Sequence, residues 1–198
     1  KIGIFSQAGQ IRSAMSRMIV HKSIKDEVLD QLYKLAGSLK IGAGNEEGVD
    51  LTPIISEDQL QKVENYARSG LQSGANAVFG GKRVDRKGYF FEPTIYSDVK
   101  SDMTIAQEEI FGPFLSVLEY DDYDEAVEIA NDTKYGLAAG VFTNDIDMAT
   151  KTASDLNGGQ VYVNSWFTGS IATPFGGYKQ SGYSCLLYTS PSPRDRIA

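Results

Sequence analysis

The side chains of this sequence that could take part in chemistry are concentrated in a few short segments. The first, FSQAGQIRSAMSR at residues 5–17, is typical of a tight active-site turn that leads into a strand. Gly9 permits close approach of the backbone, and Gln10 and Ser13 flank Arg12, which we expect to point into a pocket. A guanidinium stays protonated and has no lone pair, so Arg12 cannot act as a nucleophile.

A second segment, QEEIFGPF at residues 107–114, contains two adjacent carboxylates. Successive side chains of an extended segment point in opposite directions, so Glu108 and Glu109 cannot form the facing acid pair of a glycosidase. One of the two carboxylates can still face a ligand. The alternative is a solvated glutamate beside a phenylalanine, Phe111, that belongs to the core.

A third segment, PFGGYKQSG at residues 174–182, superficially resembles a phosphate-binding loop. Lys179 is followed by Gln180 rather than by Ser or Thr, and the glycine spacing is too short, so we exclude nucleotide-phosphate binding there. Gly176 and Gly177 are expected to allow a tight turn. Just upstream lies Trp166, whose ring could hold a cationic group at about 0.5–2 kcal/mol or could simply be an apolar wall.

Composition excludes several classes of function. The chain has 198 residues and a formal net charge of -7, without the basic stripe of a nucleic-acid-binding protein. No apolar run approaches the roughly 20 residues of a membrane helix, and no secretory signal pattern begins the sequence. With one cysteine, Cys185, and one histidine, His21, we expect neither an internal disulfide nor a metal site. A cytoplasmic protein is the resulting prediction.

Strands that alternate with helices predict a layered α/β domain, which we expect to have three layers and a largely parallel sheet. A helix over residues 24–40 should be capped by Ser23, and a second helix should begin at Ser56 with a capping box to Gln59. Two further helices are predicted at residues 123–131 and 145–156. Strands are predicted at residues 18–20, 77–79, 89–95, 114–120, 138–143 and 160–164.

Four segments together resemble the NAD(P)-dependent aldehyde dehydrogenases. They are residues 5–17, GYFFEPTIYSDV at 88–99, QEEIFGPF, and PFGGYKQSG preceded by VYVNSW. They occur in this order over residues 5–182, which is nearly all of the chain except its tail. The resemblance implies the C-terminal, catalytic-domain half of such an enzyme, of the betaine-aldehyde or amino-aldehyde type if Trp166 holds a cation.

The resemblance also implies roles for individual residues. Arg12 occupies the position of the family's nucleophilic cysteine. Glu109 corresponds to the glutamate that binds the nicotinamide ribose hydroxyls, and Phe111 to the phenylalanine beside the nicotinamide ring. Residues implied to bind a small-molecule aldehyde are Asn164, Trp166 and Phe175.

The implied reaction is thiolate attack on the aldehyde, hydride transfer from the thiohemiacetal to NAD or NADP, and hydrolysis of the thioester to a carboxylic acid. The family's oxyanion-stabilising asparagine and its general base, a glutamate, precede the nucleophile segment, as does the nucleotide-binding domain. We therefore expect residues 1–183 to be a partial enzyme. By itself, this part is not expected to bind NAD(P). Because Arg12 replaces the cysteine, it is also expected to be inactive. The parent enzyme would be a homodimer or homotetramer.

Three alternatives stay open from the sequence. An incorrect base at codon 12 could have replaced a Cys codon by an Arg codon. A genuine Arg12 would instead indicate a catalytically dead paralogue that binds a ligand or partner. An unrelated α/β binding domain is the third alternative. The resemblance stops after Tyr183, and the tail at residues 184–198, rich in Ser, Pro and Arg, is expected to be disordered or foreign sequence.

Overall fold

The computed structural model describes residues 2–169 and 175–182. The predicted tail at residues 184–198, with Cys185, lies outside the described residues. The chain divides into two compact units, residues 1–129 and residues 130–198. Each unit has its own strands and is described separately.

The first unit is built on a four-stranded sheet. Its strands are β1 (Arg17–His21), β2 (Asn76–Phe79), β3 (Thr94–Ser97) and β4 (Phe114–Tyr120), in the order β1-β4-β3-β2. The central strand β4 is parallel to both β1 and β3, whereas β2 is antiparallel to β3 at the edge. The prediction of an α/β domain with a largely parallel sheet is confirmed.

Helices cover both faces of this sheet. They are α1 (Ile2–Phe5), α2 (Lys25–Gly37), α3 (Glu57–Gln72), α4 (Thr104–Gln107) and α5 (Tyr123–Asn131), with short 3-10 turns at Ser6–Gly9 and Lys22–Ile24. Side chains of β4 alternate between two cores, because successive residues of a strand face opposite sides. Leu115 and Val117 pack in a cluster with residues of α1 and α2, and Phe114 and Leu118 pack in a cluster with residues of α3. The unit therefore has the predicted three layers.

Two local predictions for this unit are wrong. Ser23 does not cap α2, whose N-cap residue Ile24 makes no side-chain capping bond; instead the Ser23 N–H donates to the His21 ring 3.2 Å away. The strand predicted at residues 89–95 lies at Thr94–Ser97. Pro93 has no N–H to donate to a sheet, so regular pairing begins only after it.

The described residues of the second unit, 130–169 and 175–182, form two small sheets and one complete helix. Strand β5 (Tyr135–Gly136) pairs antiparallel with β8 (Tyr178–Lys179), and β6 (Ala138–Val141) pairs parallel with β7 (Gln160–Val163). Helix α6 (Ile146–Asp155) connects β6 to β7, as a parallel pair requires. The Asp145 carboxylate caps α6 by accepting from the N–H groups of Asp147 and Met148.

Candidate active site

The turn that the sequence singled out is seated against the backbone of a distant segment. Gln7, Ala8 and Gly9 all have left-handed φ angles, of 49°, 55° and 68°. A Cβ atom on Gly9 would overlap the carbonyl oxygen of Gly112 and lie 3.0 Å from the nitrogen of Pro113. The predicted close approach of the backbone at Gly9 is confirmed, and the segment that it approaches is QEEIFGPF.

The Gln10 side chain fixes the same turn to the segment that precedes α3. Its carbonyl oxygen accepts from the N–H of Ile55 at 2.9 Å, and its amide nitrogen donates to the carbonyl of Pro53 at 3.5 Å. Sequence reasoning missed this role, because it depends on residues that are far away along the chain. The available signal was a polar side chain directly after a glycine that the turn requires.

Arg12 lies at the tip of the turn. Its side chain is exposed in the structure, whereas the neighbouring Ser13 is buried. Within residues 2–169 and 175–182, Arg12 forms neither a hydrogen bond nor an ion pair through its guanidinium, and its backbone N–H donates to no acceptor. The guanidinium of Arg12 is thus available to solvent within its own unit, and its placement in a pocket stays a prediction.

The two adjacent glutamates have different surroundings. The hydroxyl of Tyr66 in α3 donates to the Glu108 carboxylate at 2.8 Å. The Glu109 carboxylate is exposed and forms no hydrogen bond or ion pair in the described part of the chain. One carboxylate is thus held by the protein and the other is free for a ligand. Next to them, Phe111 is half-buried and has a left-handed φ of 55°.

Helix α3 holds the backbone of this segment through Gln59. Its side-chain amide donates to the carbonyls of Ile110 at 2.9 Å and Phe111 at 3.0 Å. Half of the predicted capping box is confirmed, since the Ser56 hydroxyl accepts from the Gln59 N–H at 3.2 Å. The other half of the capping box, a bond from the Ser56 N–H to the Gln59 side chain, is not found among the described residues. The Gln59 side chain instead makes the two contacts with residues 110 and 111, and the local spacing could not reveal them.

The charged groups at the carboxyl end of β4 have structural contacts. The Lys25 ammonium lies 2.6 Å from Asp98 and 2.8 Å from Glu119, and its hydrogen bond to Asp98, followed by the one to Glu119, raises the pKa of Lys25. The His21 ring contacts the Ser23 hydroxyl at 2.7 Å and the Asp121 carbonyl at 3.0 Å. In the described ranges, no three His, Cys, Asp or Glu side chains are grouped so that they could hold a metal ion.

In the second unit, Asn164 ties the end of β7 to the loop after β6. Its side-chain oxygen accepts from the Thr143 N–H at 2.9 Å, and its side-chain nitrogen donates to the Thr143 carbonyl at 2.9 Å. Asn164 has a left-handed φ of 53°, a conformation that asparagine tolerates better than most residues. Both polar atoms of this side chain are engaged by the backbone, and its role toward a substrate stays a prediction.

Trp166 packs against its own unit. Gly140 lies beneath its ring, where a Cβ atom would be 3.0 Å from the indole, and the ring centroid is 5.6 Å from that of Tyr162. Trp166 and Phe175 are both half-buried, so each has surface left for another molecule. Burial among apolar neighbours also raises the pKa of Tyr162.

Lys179 has a structural contact that the sequence did not indicate. Its ammonium donates to the carbonyls of Asn131 at 2.6 Å and Thr133 at 2.9 Å, so its charge is engaged within the second unit. The Gly177 N–H donates to the Gly182 carbonyl at 2.8 Å and closes the turn of this segment. The exclusion of phosphate binding at this segment stays a prediction.

Comparison with known proteins identifies the class to which this architecture belongs. Residues 2–188 match the sequence profile of the aldehyde dehydrogenase family, an oxidoreductase family whose solved structures include NAD+ complexes. The chain therefore belongs to the aldehyde dehydrogenase family. This confirms the resemblance drawn from the four segments and removes the alternative of an unrelated α/β binding domain.

Individual relatives support the assignment over nearly the whole chain. It is 46% identical over 179 residues to the mitochondrial aldehyde dehydrogenase of Leishmania tarentolae, which is 90% of the chain and 36% of that protein. It is 42% identical over 184 residues to the betaine aldehyde dehydrogenase of Bacillus subtilis, covering 91% of the chain and 38% of the relative. The NAD+ complex of an aldehyde dehydrogenase from Bacillus cereus superposes with a TM-score of 0.90 at 43% identity, over 94% of this chain and 39% of that one.

The chain spans just over a third of the length of the curated relatives that it matches. Among the helices in residues 2–169 and 175–182, none combines the length and apolar character needed to cross a membrane.

Proposed function

We propose that this chain is the catalytic-domain part of a longer NAD(P)-dependent aldehyde dehydrogenase, and that the parent oxidises an aldehyde to a carboxylic acid. The observation that carries the proposal is the seating of Gly9 on Gly112. It joins the turn at position 12 to the segment that contains Glu109 and Phe111, within one unit. Family membership and the NAD+ complex of the Bacillus cereus relative support the same proposal.

The residues of the segment fit a nicotinamide nucleotide. When bound, the nucleotide supplies the acceptor for a hydride. The Glu109 carboxylate, exposed and unpaired in the described ranges, can accept hydrogen bonds from both hydroxyls of a ribose. The half-buried ring of Phe111 offers an apolar surface beside it for a planar heterocycle.

The backbone at position 12 is suited to a catalytic nucleophile, but the arginine side chain at that position cannot act as one. The backbone N–H of Arg12 has no acceptor among the described residues, so it is available to stabilise an oxyanion formed at that position. A thiolate there could attack a carbonyl carbon, whereas a guanidinium cannot. We therefore propose that the chain with Arg12 is inactive and that a parent with a cysteine at position 12 is active.

For the substrate, we propose an amino-aldehyde or betaine aldehyde. Trp166 is half-buried and could contribute a cation–π contact of about 0.5–2 kcal/mol to a cationic aldehyde. Relatives at 42% and 41% identity are named betaine aldehyde dehydrogenases, which supports this choice. We further propose that Asn164 and Phe175 contribute to aldehyde binding, and that the parent is a cytoplasmic homodimer or homotetramer.

The test compares position 12 in the parent enzyme. With Arg12→Cys, NAD+-dependent oxidation of betaine aldehyde should appear, followed as NADH absorbance, whereas the Arg12 form should give none. Ser6→Cys, in the same segment, serves as the control for a thiol placed elsewhere, and it should also be inactive. If the Arg12 form turns over aldehyde with NAD+, the proposed inactivity is wrong. If the Arg12→Cys variant shows no NAD+-dependent turnover, the proposed reaction is wrong.

A second candidate function is a catalytically dead protein that binds a ligand at Arg12. The observation that favours it is the exposed guanidinium, which has no ion pair within the part of the chain that the structure describes. A carboxylate ligand should then raise the melting temperature of the Arg12 protein but not that of Arg12→Gln. An equal effect on both would count against this candidate, and a Cys codon found on resequencing position 12 would remove it.

A further inference from the structure

The segment with Glu109 and Phe111 lacks backbone support of its own. The Glu108 N–H donates to the Thr104 carbonyl at 2.9 Å, and the Gly112 carbonyl accepts from the Phe114 N–H at 2.8 Å. Between these two bonds, no backbone-to-backbone hydrogen bond is found among the described residues. Something else must therefore set the conformation of residues 109–111, since an unanchored segment samples many conformations.

One face of α3 provides that support. Gln59, Val63 and Tyr66 are spaced by four and three residues, so they lie along a single side of the helix. Gln59 donates to the carbonyls of residues 110 and 111, and Tyr66 donates to Glu108. Val63 lies under the glycine that ends the segment, where a Cβ atom would be 2.6 Å from its methyl group.

Tyr66 distinguishes two chemically identical neighbours. Glu108 and Glu109 are both exposed and both able to accept hydrogen bonds, but the phenol engages only Glu108. Adjacent side chains point in different directions, so holding Glu108 toward α3 directs Glu109 away from it. Without the phenol, either carboxylate could turn toward a cationic or hydroxylated ligand.

Gln59 acts on the neighbouring aromatic residue. Phe111 has a left-handed φ, which is unfavourable for a residue with a bulky side chain and persists only where surrounding contacts impose it. The two bonds from Gln59 fix the carbonyls on either side of the Phe111 N–Cα bond, and so fix where its ring projects.

From these contacts we propose that Gln59 and Tyr66 are positioning residues for nicotinamide nucleotide binding, with Tyr66 determining that Glu109 rather than Glu108 is presented to the ribose. The inference rests on the proposed function for the identity of the ligand. It adds that the selectivity between the two carboxylates resides in α3, outside the segment that would touch the nucleotide.

Amide hydrogen exchange of the 198-residue chain tests the positioning without any ligand. Gln59→Ala and Tyr66→Phe should each increase exchange of the Glu108 and Phe114 amides, whose hydrogen bonds close the two ends of the segment, by about tenfold relative to the other amides of β4. Gln61→Ala, on the exposed face of the same helix, and Tyr33→Phe, on the exposed face of α2, are the matched controls and should leave this exchange unchanged. Equal exchange in variants and controls would overturn the proposal.

Steady-state kinetics of the parent with Arg12→Cys test the selection of the carboxylate. Tyr66→Phe should raise the KM for NAD+ about fivefold and leave the KM for the aldehyde unchanged. Adding Glu108→Gln should restore the KM for NAD+, because it removes the competing charge; a merely structural role of Tyr66 predicts no such rescue. An unchanged KM for NAD+ would overturn the selection. A parent that neither binds nor uses NAD+ would overturn the proposed function, while the exchange measurement would still decide the positioning.

Discussion

Replacing Gly9 by alanine perturbs the contact on which the candidate site depends. The φ angle of 68° at Gly9 is one that an L-residue adopts at a cost of about 1–2 kcal/mol. The added Cβ atom would also overlap the carbonyl oxygen of Gly112, which belongs to rigid backbone and cannot turn aside as a side chain could. Overpacking of this kind costs about 1–3 kcal/mol.

The two costs together predict that Gly9→Ala lowers the free energy of unfolding by about 2–5 kcal/mol. That is a large share of the roughly 5–15 kcal/mol that stabilises a typical domain. The overlap lies between the turn at position 12 and the segment with Glu109. The same variant should therefore also push these two parts of the candidate site apart.

Gly48→Ala is a matched control, because Gly48 has a φ of 72° and open space where its Cβ would lie. It therefore carries the backbone cost alone, about 1–2 kcal/mol. The free energy of unfolding of both variants can be measured by urea titration monitored by circular dichroism. The difference between the two values is the cost of the overlap with Gly112. If Gly9→Ala proves no less stable than Gly48→Ala, the reasoning from the contact with Gly112 is refuted.

Other predictions concern pH and helix termini. Burial raises the pKa of Tyr96 above its usual value near 10, so the unfolded chain loses this proton first and the free energy of unfolding should fall as the pH rises above about 10. Tyr96→Phe should flatten that decline in urea titrations between about pH 8 and 11, and should cost about 1 kcal/mol at neutral pH because its 3.1 Å bond to the Ala67 carbonyl is lost. Lys179→Met should lower the stability of the second unit by about 1 kcal/mol in thermal unfolding, since the carbonyl of Asn131 loses its cation; an unchanged melting temperature would show that this cap is negligible.

Local sequence patterns predicted the elements whose causes are local. The strand at Phe114–Tyr120 and the helix at Tyr123–Asn131 have the predicted bounds, because a continuous apolar run and a clear helical period identify them. The strand at Thr94–Ser97 was displaced in the prediction, since Phe90 and Phe91, which precede Pro93, have strand character but are buried without regular pairing. Propensity does not distinguish these two outcomes.

The residue types of the candidate site could be predicted from the sequence, but the long-range hydrogen bonds that hold them in place could not. Glycine at position 9 and the pair of adjacent glutamates could be interpreted directly, because their chemistry is local. The contacts that organise them join Gln10 to Ile55 and Gln59 to Phe111, across more than forty residues in each case. A polar side chain at such a position has many possible partners, and only the fold selects one.

The contact between Gly9 and Gly112 also constrains the order in which the protein can form. Its two members are about a hundred residues apart, and they meet only once β1 has paired with β4 in register from Arg17 opposite Ser116. Closing so long a loop is slow compared with forming the helices in between. A nascent or truncated chain ending before β4 would therefore carry the position-12 turn without the surface that shapes it. The backbone surface that shapes position 12 is therefore complete only in a chain whose sheet has formed.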